Sequence, residues 1–344
     1  LNRYMKMAYE LAQMTAGQTG RNPPVGAVIV KNGRVIGMGA HLGYGEPHAE
    51  RQALASCTEH PSGADIYVTL EPCSHHGKTP PCTEALIEAG IKHVCYAESD
   101  LNPKVSGHQV LEAAGVTVTR LEDTRVSALY QPFFNHLKKQ RPNVTLKCAM
   151  SADGRLALDD GSSRWITGES SRSDVHQERH VHDAIIVGKH TLFNDDPKLT
   201  ARIEGGGRSP VPVILLGDGE LHDNLALFDH PRRPVIYTSN TNNLKYDEKC
   251  EVKTGDWRLE EILDDLYSMA IASVFVEGGA NTLTSFFKER LYDQLLIYAA
   301  PKIFGESQHT LFKEKISTME EAVQLELIDV EKLSQDLKIT YRKA

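Results

Sequence analysis

The sequence predicts an α/β protein made of two domains. Strand and helix patterns alternate along the chain, the strands read as short apolar runs, and 344 residues exceed one core of usual size. In residues 1–16, Met5, Ala8, Leu11, Ala12 and Thr15 recur at helical spacing, giving an amphipathic helix. Residues 25–30 and 34–40 flank Asn32-Gly33, the dipeptide best suited to a two-residue hairpin turn. A short helix follows Pro47, and residues 64–70 read as a buried strand. Pro80-Pro81 opens a helix that Gly90 ends. Residues 91–97 form a strand, 107–114 a helix and 125–139 a longer helix that stops before Arg141-Pro142. The boundary is placed there, giving domains 1–142 and 143–344. A new strand starts at Val144, and others follow near 184–187, 211–216, 235–238, 274–277 and 295–299.

Composition narrows the function classes. A formal charge of −8 argues against general affinity for nucleic acid, whose phosphates draw basic proteins. No apolar run approaches the ~18 residues of a membrane span. Residues 1–16 lack a signal-peptide layout, so a cytoplasmic protein is expected. Leu1 stands where Met is usual, and the natural start is expected to be missing or renumbered. Six cysteines in this setting do not suggest a disulfide framework. Cys57, Cys95, Cys148 and Cys250 have no partner pattern and read as structural.

Two strings carry chemistry: Pro47-His48-Ala49-Glu50, and Glu71-Pro72-Cys73 with Cys82 after an eight-residue spacer. One imidazole and two thiolates suit catalytic zinc, which takes three protein ligands and keeps a fourth position for water. The metal lowers that water's pKa from ~16 to about 7. Glu50 lies two residues from His48 at a helix start, so the side chains diverge. One binds metal while the other moves protons. H-x-E followed by P-C…C marks zinc nucleobase deaminases, although most space the cysteines by two residues. The competing reading, unrelated core residues, fits each residue alone but not the set. His176, His180 and His182 form no second metal site: the string His-Gln-Glu-Arg-His misplaces the acid, and no third ligand is evident. For His75 and His76, substrate contact and loop structure both remain open.

The spacer Ser-His-His-Gly-Lys-Thr-Pro-Pro resembles that of the bifunctional riboflavin-biosynthesis deaminase/reductase family. So do Asn22-Pro23-Pro24-Val25-Gly26, Asp100-Leu101-Asn102-Pro103, Ser151-Ala152-Asp153-Gly154-Arg155, Trp165-Ile166-Thr167, Asp195-Asp196-Pro197 and Glu277-Gly278-Gly279. One departure is Gln109, where a second glycine is expected. The resemblance implies a cytidine-deaminase-like α/β/α domain followed by a dihydrofolate-reductase-like α/β domain. It implies one Zn2+ per chain and NADPH. The reactions would be loss of an amino group from a diaminopyrimidinone ribosyl phosphate, then reduction of the ribosyl group to ribityl. Asn22, His41 and Lys78 would contact the first substrate. Ala149, Trp165, Thr191, Asp195 and the run Gly279, Ala280, Asn281, Thr282, Leu283, Thr284 and Ser285 would hold NADPH. Ser163, Arg179, Leu199, Arg202 and Glu277 would face the second substrate, with the two arginines as a phosphate clamp and Glu277 as a candidate proton donor. The partners expected are a small pyrimidine phosphate and a further copy of the chain, in a dimer or larger assembly, without nucleic acid or membrane. The alternatives are a nucleic-acid-editing deaminase, disfavoured by the acidic balance, and a binding module with structural zinc, disfavoured by three ligands in place of four.

Overall fold

The structure is a computed structural model and describes residues 2–20, 22–76, 80–101 and 105–344. The chain divides into two compact units, 1–138 and 139–344.

The first unit runs α1 (Arg3–Met14), β1 (Gly26–Lys31), β2 (Arg34–Ala40), α2 (Ala49–Ala55), β3 (Asp65–Leu70), α3 (Cys82–Glu88), β4 (His93–Glu98), α4 (Gly107–Ala113), β5 (Thr117–Arg120) and α5 (Thr124–Lys139). Its sheet has the order β2-β1-β3-β4-β5. β1 is antiparallel to both neighbours, and β3, β4 and β5 are parallel. Asn32 and Gly33 both take positive φ, 52° and 75°, as the hairpin turn requires. β1 is apolar along most of its length because both faces are covered. Ala27 and Ile29 pack with Ala49, Ala53 and Leu86 on the α2–α3 side. Val28 and Val30 pack with Met5, Ala8 and Tyr130 on the α1–α5 side. Gly26 permits the close approach of α1: a Cβ there would lie 2.0 Å from the carbonyl oxygen of Ala8.

The second unit runs β6 (Asn143–Ser151), α6 (Glu169–Val181), β7 (Ala184–Gly188), α7 (Lys189–Asp195), β8 (Val211–Gly217), β9 (Val235–Thr238), β10 (Glu251–Thr254), α8 (Leu259–Ser268), β11 (Ser273–Val276), α9 (Ala280–Lys288), β12 (Gln294–Ala300), β13 (Leu325–Leu333) and β14 (Asp336–Lys343). The order in the sheet is β10-β9-β8-β7-β11-β6-β12-β14-β13. Strands β6 to β12 pair in parallel, and β14 is antiparallel to both β12 and β13. The inner parallel strands, β6 to β9 with β11 and β12, contribute to cores on both faces and read largely as apolar runs. Strands β10, β13 and β14 are not among the strands expected from sequence. They carry charge at regular intervals and lie at the sheet margins, with β13 exposed along nearly its whole length.

The first residues of the second unit are anchored on one carboxylate. Asp293 is 3% exposed. It accepts hydrogen bonds from Val144 N at 2.8 Å and from Arg141 Nη1 and Nη2 at 2.9 and 3.0 Å, and it pairs with Lys139.

Candidate active sites

In the first unit, three segments meet beyond the sheet. His48 is the N-cap of α2, with extended backbone, and Glu50 lies in the first turn. Cys73 follows β3, and Cys82 is the first residue of α3. The ligand atoms of His48, Cys73 and Cys82 all lie within 4.8 Å of one another. His48 Nδ1 is 3.4 Å from each sulfur. Ligand atoms on a tetrahedral zinc stand about 3.6 Å apart, so the donor spacing fits that ion.

The electrostatics fit it too. A hydrogen bond from the Cys82 thiol draws the Cys73 pKa well down, and the same contact, with burial, pushes that of Cys82 up. The two sulfurs therefore compete for one negative charge. A dication between them would let both ionise. The Cys82 backbone N–H also donates to Cys73 Sγ at 3.3 Å. Arg51, one turn along α2, holds the start of α3 through the carbonyls of Pro80 and Pro81 at 3.2 and 2.9 Å.

Glu50 is 3% exposed. Burial, reinforced by negative charge on Cys73, raises its carboxyl to about 7, where a proton is easily taken up and returned. His41 is buried, edge-on to His48 with ring centres 5.4 Å apart, and Asn22 Nδ2 lies 3.0 Å from His41 Nε2. The structure thus brings Asn22, His41, His48, Glu50, Cys73 and Cys82 together. Lys78 lies outside the described residues. His75 Nδ1 is buried with no hydrogen-bond partner among the described residues, whereas His76 is exposed.

In the second unit, a cavity of about 1450 Å³ lies at the C-terminal ends of the parallel strands. This is where open α/β sheets bind ligands. Of the expected residues, Ala149, Trp165, Thr191, Asp195, Gly279, Ala280, Asn281, Thr282 and Ser285 line it, as do Ser163, Arg179, Leu199, Arg202 and Glu277. Leu283 and Thr284 do not. Leu283 faces the core, and Thr284 Oγ1 accepts from Lys313 N at 3.1 Å. In a helix, consecutive residues cannot all face one ligand.

The turn from β11 into α9 fits a dinucleotide diphosphate. Gly279 is the N-cap of α9 and offers no capping side chain, so the first N–H groups of the helix are left for a ligand. Gly188 and Gly278 make room for Thr282, because a Cβ at either would lie 2.5 or 2.4 Å from that side chain.

Glu277 makes a two-pronged pair with Arg179, at 2.5 and 3.1 Å, and has Lys147 at 3.7 Å. Burial alone would raise its pKa, but Arg179 and Lys147 outweigh burial and bring it to about 2. Glu277 is therefore ionised at neutral pH and must take up a proton before it can give one. Arg179 also donates to Thr200 O at 3.0 Å, while Arg202 remains more open and donates to Thr200 Oγ1 at 3.2 Å. His176 lines the same corner. Burial, then Arg179 and Arg202, lower its pKa to about 4, so it is neutral. Its Nδ1 accepts from Arg202 N at 3.4 Å.

Sequence reasoning missed Lys147, Lys189 and Trp257 as lining residues. Lys147 sits mid-strand in β6, where alternation alone cannot separate a site residue from a solvated one.

Each unit is matched by a family model. The family model described as the RibD C-terminal domain matches residues 142–339, more than half of the chain. The chain belongs to the RibD family. A second model, the cytidine and deoxycytidylate deaminase zinc-binding region, matches residues 1–98. The riboflavin biosynthesis protein RibD of Aquifex aeolicus is 39% identical, over 99% of this chain and 98% of that protein. That of Bacillus amyloliquefaciens is 38% identical, over 98% and 95%. Among solved structures, a diaminohydroxyphosphoribosylaminopyrimidine deaminase/5-amino-6-(5-phosphoribosylamino)uracil reductase from Thermotoga maritima superimposes with a TM-score of 0.91. It is 36% identical and covers 99% of this chain and 98% of its own. The protein is a bifunctional deaminase and reductase of riboflavin biosynthesis that uses Zn2+ and NADPH. Its units are a cytidine-deaminase-like α/β domain and a dihydrofolate-reductase-like one. The nucleic-acid-editing alternative is not favoured. No helix among the described residues is long and apolar enough to cross a membrane.

Proposed function

We propose that the first unit removes the amino group of 2,5-diamino-6-ribosylamino-4(3H)-pyrimidinone 5′-phosphate. The second unit then reduces the ribosyl group of 5-amino-6-(5-phosphoribosylamino)uracil to ribityl. The observation that carries this reading is the cluster of His48, Cys73 and Cys82 with Glu50 buried beside it.

His48, Cys73 and Cys82 hold the zinc, which when bound supplies a water acidic enough to ionise near pH 7. Glu50 accepts the proton of the attacking water, passes it to the ring nitrogen and then assists departure of ammonia. Its raised pKa suits both directions of transfer. Asn22 and His41 hold the substrate, and Lys78 supplies a cation for its phosphate. In the second unit, the α9 start binds the diphosphate of NADPH, which supplies the hydride. Arg202, with the open side of Arg179, receives the sugar phosphate. Ser163, Leu199 and Glu277 face the sugar, and Lys147 stands beside Glu277.

The direct test follows ammonia and NADPH together with the pyrimidine phosphate as substrate. Glu50→Ala is expected to cut ammonia release about 10²–10⁴-fold and to spare reduction of the deaminated compound. Joint loss in a folded variant would refute separate sites.

A second copy of the chain is the proposed partner. β13 is the terminal strand of the sheet, and Leu327 and Val330 are 56% and 50% exposed. Light scattering at a single-chain mass would exclude this assembly.

A further inference from the structure

The cavity of the second unit has two chemically different ends. β11 reaches it centrally, and the turn into α9 provides the N–H groups for a diphosphate. On the side of β6 stand Lys147, Glu277, Arg179 and Arg202, the end for the sugar phosphate. On the opposite side β7 and then β8 follow in the sheet. Their C-terminal ends bring Lys189 and Gly217 to the cavity, and the loop before α8 adds Trp257 and Arg258. A dinucleotide laid across the α9 start with its nicotinamide toward Glu277 must send its adenosine to this second end.

Lys189 and Arg258 are among the cations that line the cavity. Arg258 is engaged with Glu261 Oε1, through Nη2 at 3.0 Å and Nε at 3.2 Å, at the start of α8. Lys189 is held differently. Its Nζ lies 2.6 Å from Asp218 Oδ1, and the side chain of Asp218 is 82% exposed. Such a surface pair contributes little and is readily exchanged. Asp218 directly follows β8. The neighbouring Gly217 has φ +60°, and a Cβ there would meet nothing within 4 Å, so the approach is open. A carboxylate near the adenosine end is how many dinucleotide sites bind the 2′-hydroxyl of an unphosphorylated ribose, whereas a 2′-phosphate calls for a cation. Here acid and base stand side by side.

We propose, on the cofactor reading above, that Lys189 recognises the 2′-phosphate of the dinucleotide and that Asp218 competes with that phosphate for it. The incoming phosphate carries more charge than the carboxylate and takes over the ammonium through charge-assisted hydrogen bonds. Asp218 then stays nearby as a repelling charge, which keeps the preference for the phosphorylated cofactor small.

The test is calorimetric titration of the full chain with adenosine 2′,5′-bisphosphate and with adenosine 5′-monophosphate, which differ only in the 2′-phosphate. The wild type should bind the bisphosphate severalfold more tightly. Lys189→Met should weaken bisphosphate binding about tenfold, one charge-assisted contact, and change monophosphate binding less than about twofold. Asp218→Asn should tighten the bisphosphate about threefold or more without tightening the monophosphate. Thermal unfolding of each variant checks the fold, and Asp218→Asn carries the test if Lys189→Met does not fold. If the wild type binds both nucleotides and the variants shift both equally or neither, Lys189 and Asp218 have no such role. If the wild type binds neither nucleotide, the placement of the adenosine at this end is overturned, and the proposal with it.

Discussion

Replacing Glu277 by Gln removes one charge and almost no volume, so its effect isolates the electrostatics of the reductase cavity. The side chains of Glu277, Arg179 and Lys147 are 11%, 13% and 17% exposed. Without the carboxylate, two poorly hydrated cations face each other across a neutral amide. Breaking a buried pair in this way costs about 3–5 kcal/mol. The carboxyl's displacement from its ordinary 4.5 to about 2 corresponds to about 3 kcal/mol of preference for the ionised form, and the two routes agree. The protein's two tryptophans, Trp165 and Trp257, both lie in the second unit, so their emission follows that unit alone. With a urea dependence of about 2–3 kcal/mol per molar, Glu277→Gln should lower the unfolding midpoint by about 1–2 M. The pH dependence has a fixed sign. The folded pKa is depressed, so the stabilisation is present above about 4.5 and is lost as pH falls through about 2. The gap between wild type and variant should close over that window. A midpoint lowered by less than about 0.3 M at neutral pH, or a gap that stays constant down to pH 2, would refute the reasoning.

Cys82→Ser should release zinc, seen as metal content below one per chain, and abolish ammonia formation while tryptophan emission of the second unit stays unchanged. Gly26→Ala must push α1 off β1, because the added carbon would meet Ala8 O at 2.0 Å. Such overpacking costs about 1–3 kcal/mol or more, measurable as earlier thermal loss of ammonia release with the reductase reaction retained. Asp293→Asn replaces one acceptor oxygen by a donor against Arg141, Lys139 and Val144 N. It should lower the tryptophan-detected unfolding free energy by about 2–4 kcal/mol, and an unchanged value would show that these contacts are replaced by water.

The zinc site was legible because its four residues lie in two short strings, and the chemistry fixes both residue types and spacing. The inner parallel strands were legible because strands covered on both faces are largely apolar. What stayed hidden depends on distance through space. Arg51 gains its meaning only when α2 meets α3, and the low pKa of Glu277 only when Arg179 arrives from another helix. The run 279–285 shows the limit of carrying over a continuous stretch: helix geometry turns Leu283 and Thr284 away from the cavity whose other members they accompany in sequence. The marginal strands β10, β13 and β14 escaped because charged residues recur along them and break the apolar run.

Asp293 has a practical consequence for anyone dividing the gene. The sequence suggests a cut after Pro142, since proline there ends one helical pattern and a strand follows. Such a cut would discard Lys139 and Arg141, the two cations paired directly with the buried Asp293 carboxylate. A reductase fragment should therefore begin upstream of Lys139, so that the last turn of the preceding helix travels with the domain it neutralises.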